Sequence, residues 1–584
     1  MAITSFDSSL TSLHFVIFSL LIVMTGCEKN VKDPDKVAEV VRSPVTCAPV
    51  INDRAWYDSE NIAPLFDGMG DLNFTISTDN ELVQRYFNQG LVLAYGFNHA
   101  EAARSFYYAS KLDPDCAMTL WGYAYVLGPN YNAGMERDNY ERAYDAIQKA
   151  IVISQSKGTD KERDMILALS KRYVKEQIED RKDLDIAYSN EMKKLFEKYP
   201  KDADIGTLYA ESVMNLHPWD LYESSGQMKP WTPDILSTLE KVIRDNPRHC
   251  GANHFYIHAV ESSKTPERAN EAAKLLLDGL VPNAGHLVHM PSHIYIRTGE
   301  YHQGTIANIR AIQVDSTYVT ACHAQGVYPL SYFPHNQHFM AATATLEGNS
   351  AWALYAADAV SDNANRQLMK EPMWGTLQHY YTIPFYVYVK FGKWDEILSR
   401  DINLEELDYP RAILHYARGM AYLGKAKLDS ARVELDKLSD LASKESLRQI
   451  TIWDINTVYD LVQIAERVLH AEIAGAEGNF QEAIELLKEG VAIEDSLNYT
   501  EPPDWFFSVR HNLGAMQIAA GNYQDAIVTY KEDLERLPKN GWALKGLATA
   551  YSELGDYKNS KETEEKFLSA WKTADISLSG SVIQ

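Results

Sequence analysis

Basic residues are scarce: 56 Lys and Arg stand against 80 Asp and Glu in 584 residues, a formal net charge of −24. That balance repels nucleic acid and disfavours docking on anionic lipid, which leaves neutral, cationic or metallic partners. Cysteine is scarcer still, with five in the chain. Cys47, Cys116, Cys250 and Cys322 are widely spaced, none belongs to a Cys-x-x-Cys pair, and a chain this long builds its core without disulfides. Alternating β-branched runs are nearly missing, which argues against a sheet protein. There is no Walker-type glycine loop, no Gly-x-Ser-x-Gly elbow and no Cys-His nucleophile context, so covalent catalysis has no sequence support. No stretch approaches eighteen apolar residues, so nothing reads as a bilayer-spanning helix.

What is present begins with an apolar run from Phe15 to Met24 that ends in Thr25-Gly26-Cys27. A short apolar segment followed by small residues is an export signal rather than a fold element. Met24-Thr25-Gly26-Cys27 resembles the lipobox of bacterial lipoproteins, which implies cleavage after Gly26, lipidation of Cys27 and attachment to a membrane through acyl chains alone. Met24 stands where that family favours Leu, and no Lys or Arg precedes the run. Glu28, rather than Asp, after the Cys favours the outer membrane of the cell envelope by resemblance to enteric lipoproteins. Residues 1–26 are thus expected to be a signal peptide, and 27–64 a polar tether and irregular lead-in.

From Glu81 to Lys572 apolar residues recur at helical spacing, which predicts an all-α protein. Gly521-Asn522-Tyr523 and Gly555-Asp556-Tyr557 stand 34 residues apart, the tetratricopeptide period, each closing one helix and opening the next. Related turns at Gly96, Gly299, Gly348, Gly392, Gly424 and Gly478 follow at uneven intervals, so the central repeats are degenerate. One helical pair cannot bury its own apolar face; neighbours must stack into a right-handed superhelix, an α-solenoid with a concave groove. The expected divisions are N-terminal repeats over 65–200, a His-rich central part over 201–350 and C-terminal repeats over 351–584.

Several blocks resemble a family of poorly characterised bacterial tetratricopeptide-repeat proteins. They are Arg85 to Gly90, Gly96 to Ala102, Asp113 to Met118 with Trp121-Gly122, Pro218-Trp219-Asp220, Ala252 to Glu261, Gly285 to Tyr295 and Pro334 to Phe339. The resemblance covers about residues 65–350 and implies a fold, not a reaction. Cys250 departs from it, since Pro is expected after His249.

Ten of the seventeen histidines lie between His249 and His338. His254, His258 and Glu261 are spaced i, i+4, i+7, one face of a helix. His286, His289 and His293 are spaced i, i+3, i+7, again one helical face, although Pro291 predicts a kink or a helix start between them. His335 and His338 lie one turn apart after Pro334. Imidazoles and a carboxylate converging from packed helices are a donor set for zinc or another divalent transition metal. The same rings can equally be core histidines with satisfied hydrogen bonds. Glu211 is a further ligand or base if it turns inward, and a solvated charge if it does not. Trp219, Trp231, Trp374 and Trp505 are read as packing rather than as the lining of a ligand groove.

Two functions from different classes fit. One is a membrane-anchored binding and assembly module that holds a protein segment or small ligand in its concave groove, with no nucleic acid and no chemistry of its own. The other is a metalloprotein or metal-dependent hydrolase, with Glu261 or Glu211 as the catalytic base for a metal-bound water. Capture of a glycan or other nutrient stays open as a third reading, by fold analogy alone.

Overall fold

A computed structural model describes residues 54–58, 61–322, 333–371, 374–400, 404 and 406–583. The expected signal peptide, the lipidation position Cys27 and most of the tether lie outside the described residues. Apart from the two-residue strands Thr451–Ile452 and Asn456–Thr457, which pair antiparallel, the described secondary structure is helical. Consecutive helices pack on one another throughout, from Glu81–Tyr95 on His99–Leu112 to Gly541–Glu553 on Tyr557–Ala570. The protein is a tetratricopeptide-like α-solenoid.

One packing device recurs at both ends. Phe106 is wedged between Gly90 and Gly122, where an added Cβ would come within 2.8 and 2.4 Å of its ring. Tyr530 is wedged in the same way between Gly514 and Gly546, at 2.4 and 2.3 Å. A large ring on the second helix of a unit thus fills the space between the first helices of that unit and the next, and only glycine leaves room for it. Gly546→Val is therefore expected to cost about 1–3 kcal/mol by displacing Tyr530; an unchanged urea midpoint would count against this packing.

The turns between helices need a left-handed residue. Gly299, Gly348, Gly392, Gly478, Gly521 and Gly555 supply it with φ between 64° and 84°. At two turns the left-handed position falls after the glycine instead, on Phe97 (φ 56°) after Gly96 and on Ala426 (φ 55°) after Gly424. Phe97 is also buried, and its place matters below.

The main apolar core has two bodies, one running from Ala63 to Tyr295 and the other from Ile296 to Leu578. The chain passes from one to the other in the middle of the histidine-rich stretch. Among the described residues no helix is long and apolar enough to cross a membrane.

Candidate metal centre

Four helical elements bring the histidines to the seam between the two cores. Cys250–Val260 is opened by His249, whose Nδ1 accepts the amide of Ala252 at 3.0 Å. This ring is a cap, not a ligand. The same helix carries His254 and His258, and Glu261 follows at its C-terminal end. Gly285–His289 carries His286 and His289, and Pro291 opens Pro291–Thr298, which carries His293. The proline breaks the helix as expected, but Met290 keeps helical angles (φ −50°, ψ −34°), so His289 and His293 still face each other. Phe333–Leu346 supplies His335.

The six rings fall into two triads, His254 with His258 and His286, and His289 with His293 and His335. Within each triad the candidate ligand nitrogens all lie within 4.8 Å of one another. Every ring is buried except that of His335, which is partly exposed. A third grouping, His258, Glu261 and His293, lies between them.

Hydrogen bonds assign the tautomers. His254 Nδ1 lies 2.5 Å from the carbonyl of Tyr95, which can only accept, so Nδ1 carries the proton. His258 Nδ1 donates to Glu261 Oε1 at 2.8 Å. His289 Nδ1 donates to Asn308 Oδ1 at 2.7 Å, and the orientation of that amide is set because its Nδ2 donates to the carbonyl of Gly304 at 2.8 Å. His293 Nδ1 lies 2.5 Å from Glu261 Oε2 and 3.1 Å from Glu501 Oε2. Three Nδ1 protons, those of His254, His258 and His289, are thereby committed to acceptors, which leaves their Nε2 atoms to offer lone pairs; Nδ1 of His293 lies close to both carboxylates but forms no hydrogen bond with either. The Nε2 atoms of His254 and His258 have no hydrogen-bond partner in the interior. Those of His289 and His293 face each other at 2.9 Å. His289 Nε2 has a lone pair to accept with, so His293 Nε2 supplies the proton between them, at a position where a metal ion would replace it.

The electrostatics agree. Burial, reinforced by neighbouring rings, pushes His254, His286, His289 and His335 well below the ordinary histidine range, so they are neutral. Burial also works against the charged form of His293, but Glu261 and Glu501 outweigh it and raise that ring. Burial opposes ionisation of Glu261 as well, yet His293 and His258 hold its carboxyl below the usual range. Glu501 is driven the other way, upward, first by burial and then by the charge of Glu261, against the pull of His293.

No protein-family model matches the chain, and no curated protein matches it. Among solved structures, the human IFIT1 dimer with m7Gppp-AAAA is similar at 13% identity over 93% of this chain and 100% of that chain, with a TM-score of 0.32. Yeast Tom70 is similar at 12% identity over 83% of this chain and 93% of that chain, with a TM-score of 0.25. Superpositions this loose carry no ligand and no role to this chain.

Two expected site residues stand apart from the cluster. His338, three residues after His335, points some 60° away around the helix, since three residues turn roughly 300°. It stacks on Phe506 at 5.1 Å and meets His379 at 5.4 Å. Glu211 is buried, not solvated, but it lies elsewhere: it accepts from Asn215 Nδ2 at 2.6 Å and shares its surroundings with Arg172 and Tyr188.

Three partners of the cluster are invisible to spacing. Glu501 arrives from a connecting stretch more than two hundred residues further along the chain, held by Tyr499, whose hydroxyl bonds Glu501 Oε1. Arg297 ties the same region together, donating to the carbonyl of Glu261 at 3.1 Å and lying 3.9 Å from Glu501 Oε1. Asn308 orients His289. The walls are aromatic: Phe97 lies 4.7 Å from His254 and 5.6 Å from His286, and Trp219 meets His258 at 5.7 Å. Both wall residues have left-handed backbones, at φ 56°, a conformation that costs about 1 kcal/mol or more for a bulky side chain and tends to collect at functional sites. Beside His286 a cavity of about 350 Å³ adds Asp67, Asn98, Asn283, Gln313 and Asp315 as polar lining.

Proposed function

We propose that the chain is a metalloprotein: a helical-repeat shell whose interior binds zinc or another divalent transition metal through histidine Nε2 atoms. The observation that carries this reading is the pair His289 and His293, whose Nε2 atoms meet at 2.9 Å while Asn308 engages the Nδ1 of His289 and the Nδ1 of His293 lies beside Glu261. In the metal-free protein a proton fills that gap. A metal ion takes its place and releases it, because His binds metal as the neutral ring. The second support is the outer layer. Ligating histidines ordinarily give their other N–H to a carboxylate or carbonyl, and Glu261, Asn308 and the Tyr95 carbonyl do that here.

The reading is tested by elemental analysis of protein purified without chelator. It expects at least one zinc-like ion per chain, with the metal at His289 and His293 lost in His289→Ala. A wild-type protein that carries no such ion, and takes none up from a zinc solution, would refute it.

A plain scaffold needs an open concave face. At the seam the chain's own residues Glu501 and Phe506 pack in, Glu501 beside His293 and Phe506 stacked on His338. Capture of a protein segment or small ligand by the helical repeats is proposed beside the metal-bearing interior. We further propose export and lipid anchoring at Cys27, on the lipobox resemblance, in the cell envelope and with the outer membrane as its expected place. Cys27→Ser is expected to move the protein from the membrane to the soluble fraction of fractionated cells; unchanged sedimentation with membranes would remove this part.

A further inference from the structure

Resting on the metal reading above, we infer that the interior holds two metal ions, one on His254, His258 and His286 and one on His289, His293 and His335, with Glu261 as the shared support between them.

One ion cannot take all six rings. The two triads share no residue, and within each the candidate nitrogens all lie within 4.8 Å of one another. A tetrahedral ion with nitrogen ligands at about 2.0–2.1 Å needs them roughly 3.4 Å apart, so small ring rotations close either triad. Six imidazoles exceed what one tetrahedral ion takes. Three nitrogens per ion leave a fourth position open to water or a ligand, as in catalytic rather than structural zinc sites.

Tautomers then separate support from ligand. The grouping of His258, Glu261 and His293 looks like a third site, but it is built from the Nδ1 sides of both rings, of which that of His258 donates to the carboxylate. Glu261 Oε1 accepts from His258 at 2.8 Å and Oε2 faces the Nδ1 of His293 at 2.5 Å. The carboxylate therefore bridges the two triads from behind, orienting His258 toward the first and His293 toward the second. The rings of His258 and His293 lie 5.4 Å apart, and those of His286 and His289 5.6 Å, so the triads are adjacent as well as distinct. The buried Nε2 atoms of His254 and His258, with no hydrogen-bond partner, are the independent sign that the first triad is a site and not packing around the second.

Each triad also has its own approach from solvent. The first borders the 350 Å³ cavity through His286, and the second has the partly exposed His335. Carboxylate and amide groups line that cavity, so a hydrated cation can enter along it.

The test is a Zn²⁺ titration of the chelator-stripped full chain by calorimetry, with elemental analysis of the same sample after gel filtration. Two ions per chain are expected. His254→Ala and His335→Ala should each retain one, and the double variant none. Glu261→Gln should weaken both sites, each by tenfold to a hundredfold. If a variant fails to fold by circular dichroism, the wild-type count decides. Any wild-type count of one overturns the two-ion inference and leaves the metalloprotein reading standing. A count of zero ends both.

Discussion

Glu261→Ala is expected to lower both stability and metal affinity, by more than the loss of one surface carboxylate ever does. Glu261 is 1% exposed, accepts the N–H of His258 and lies 2.5 Å from the Nδ1 of His293 as a buried counter-charge. Its removal strands the His258 donor in an interior that water does not reach, at about 1–3 kcal/mol, and takes one of two carboxylates from beside His293. Loss of the support behind metal-binding histidines ordinarily reduces affinity ten- to a hundredfold. Glu261→Gln keeps one accepting oxygen but turns an amide N–H₂ toward the other ring, so it should fall between wild type and Ala. Thermal unfolding with and without chelator separates the two effects. A Glu261→Ala protein with unchanged melting temperature and unchanged zinc affinity would show that the carboxylate supports neither ring.

The second large effect lies in the C-terminal repeats, away from the metal centre. Lys390 Nζ donates to His511 Nδ1 at 2.9 Å and to the carbonyl of Ser581 at 3.2 Å, and lies 4.1 Å over the ring of Trp542. His511 Nε2 in turn donates to Asp533 Oδ2 at 3.1 Å, which also accepts from Asn540 at 2.7 Å. All of these side chains are buried. Burial pushes the Lys390 amine down to about 7, only partly opposed by Asp533. Asp533→Ala removes the sole carboxylate of this chain of bonds, so on the order of 3–5 kcal/mol should be lost. Lys390→Met in the same protein should return part of it, since the buried amine left without its carboxylate is then gone.

The pH dependence has a definite sign. Burial opposes the charge of Asp533, but His511 and its other hydrogen bonds hold the carboxyl at about 2, below its ordinary value. A carboxyl depressed on folding contributes above its unfolded value near 3.9 and loses that contribution as pH falls through the folded value. Asp533 therefore contributes roughly 2 kcal/mol at neutral pH, lost between about pH 4 and 2. Equal urea stability of wild type and Asp533→Ala at pH 7 would refute the arrangement.

Helical repeats were legible because a 34-residue period and small residues at fixed places follow directly from how helices stack. His254 and His258 were legible for a similar local reason: four residues is one turn. His286, His289 and His293 came together even though Pro291 interrupts them, because the break costs a hydrogen bond but not the direction of the chain. His338 lies apart because its ring packs among Phe506, His379 and Tyr380, long-range partners that spacing does not show. Glu211 could not be placed because burial of a charge depends on its tertiary partners, here Asn215 and the neighbourhood of Arg172.

Glu501 had one faint signal. Gly478 and Gly521 stand 43 residues apart, nine beyond the repeat period, which marks an insertion. That stretch includes Tyr499, Glu501 and Phe506, and its docking at the seam is a long-range event that no local pattern encodes. The left-handed backbones of Phe97 and Trp219 were likewise hidden, since large aromatics are unexpected in that conformation.

The most direct measurement is an anomalous difference map from a crystal of the full chain grown with Zn²⁺, collected on both sides of the zinc edge. A peak is predicted between the Nε2 atoms of His289 and His293, about 2.0–2.1 Å from each. Saturating zinc with no peak there, and with the two nitrogens still at hydrogen-bond distance, would mean that the gap belongs to a proton alone.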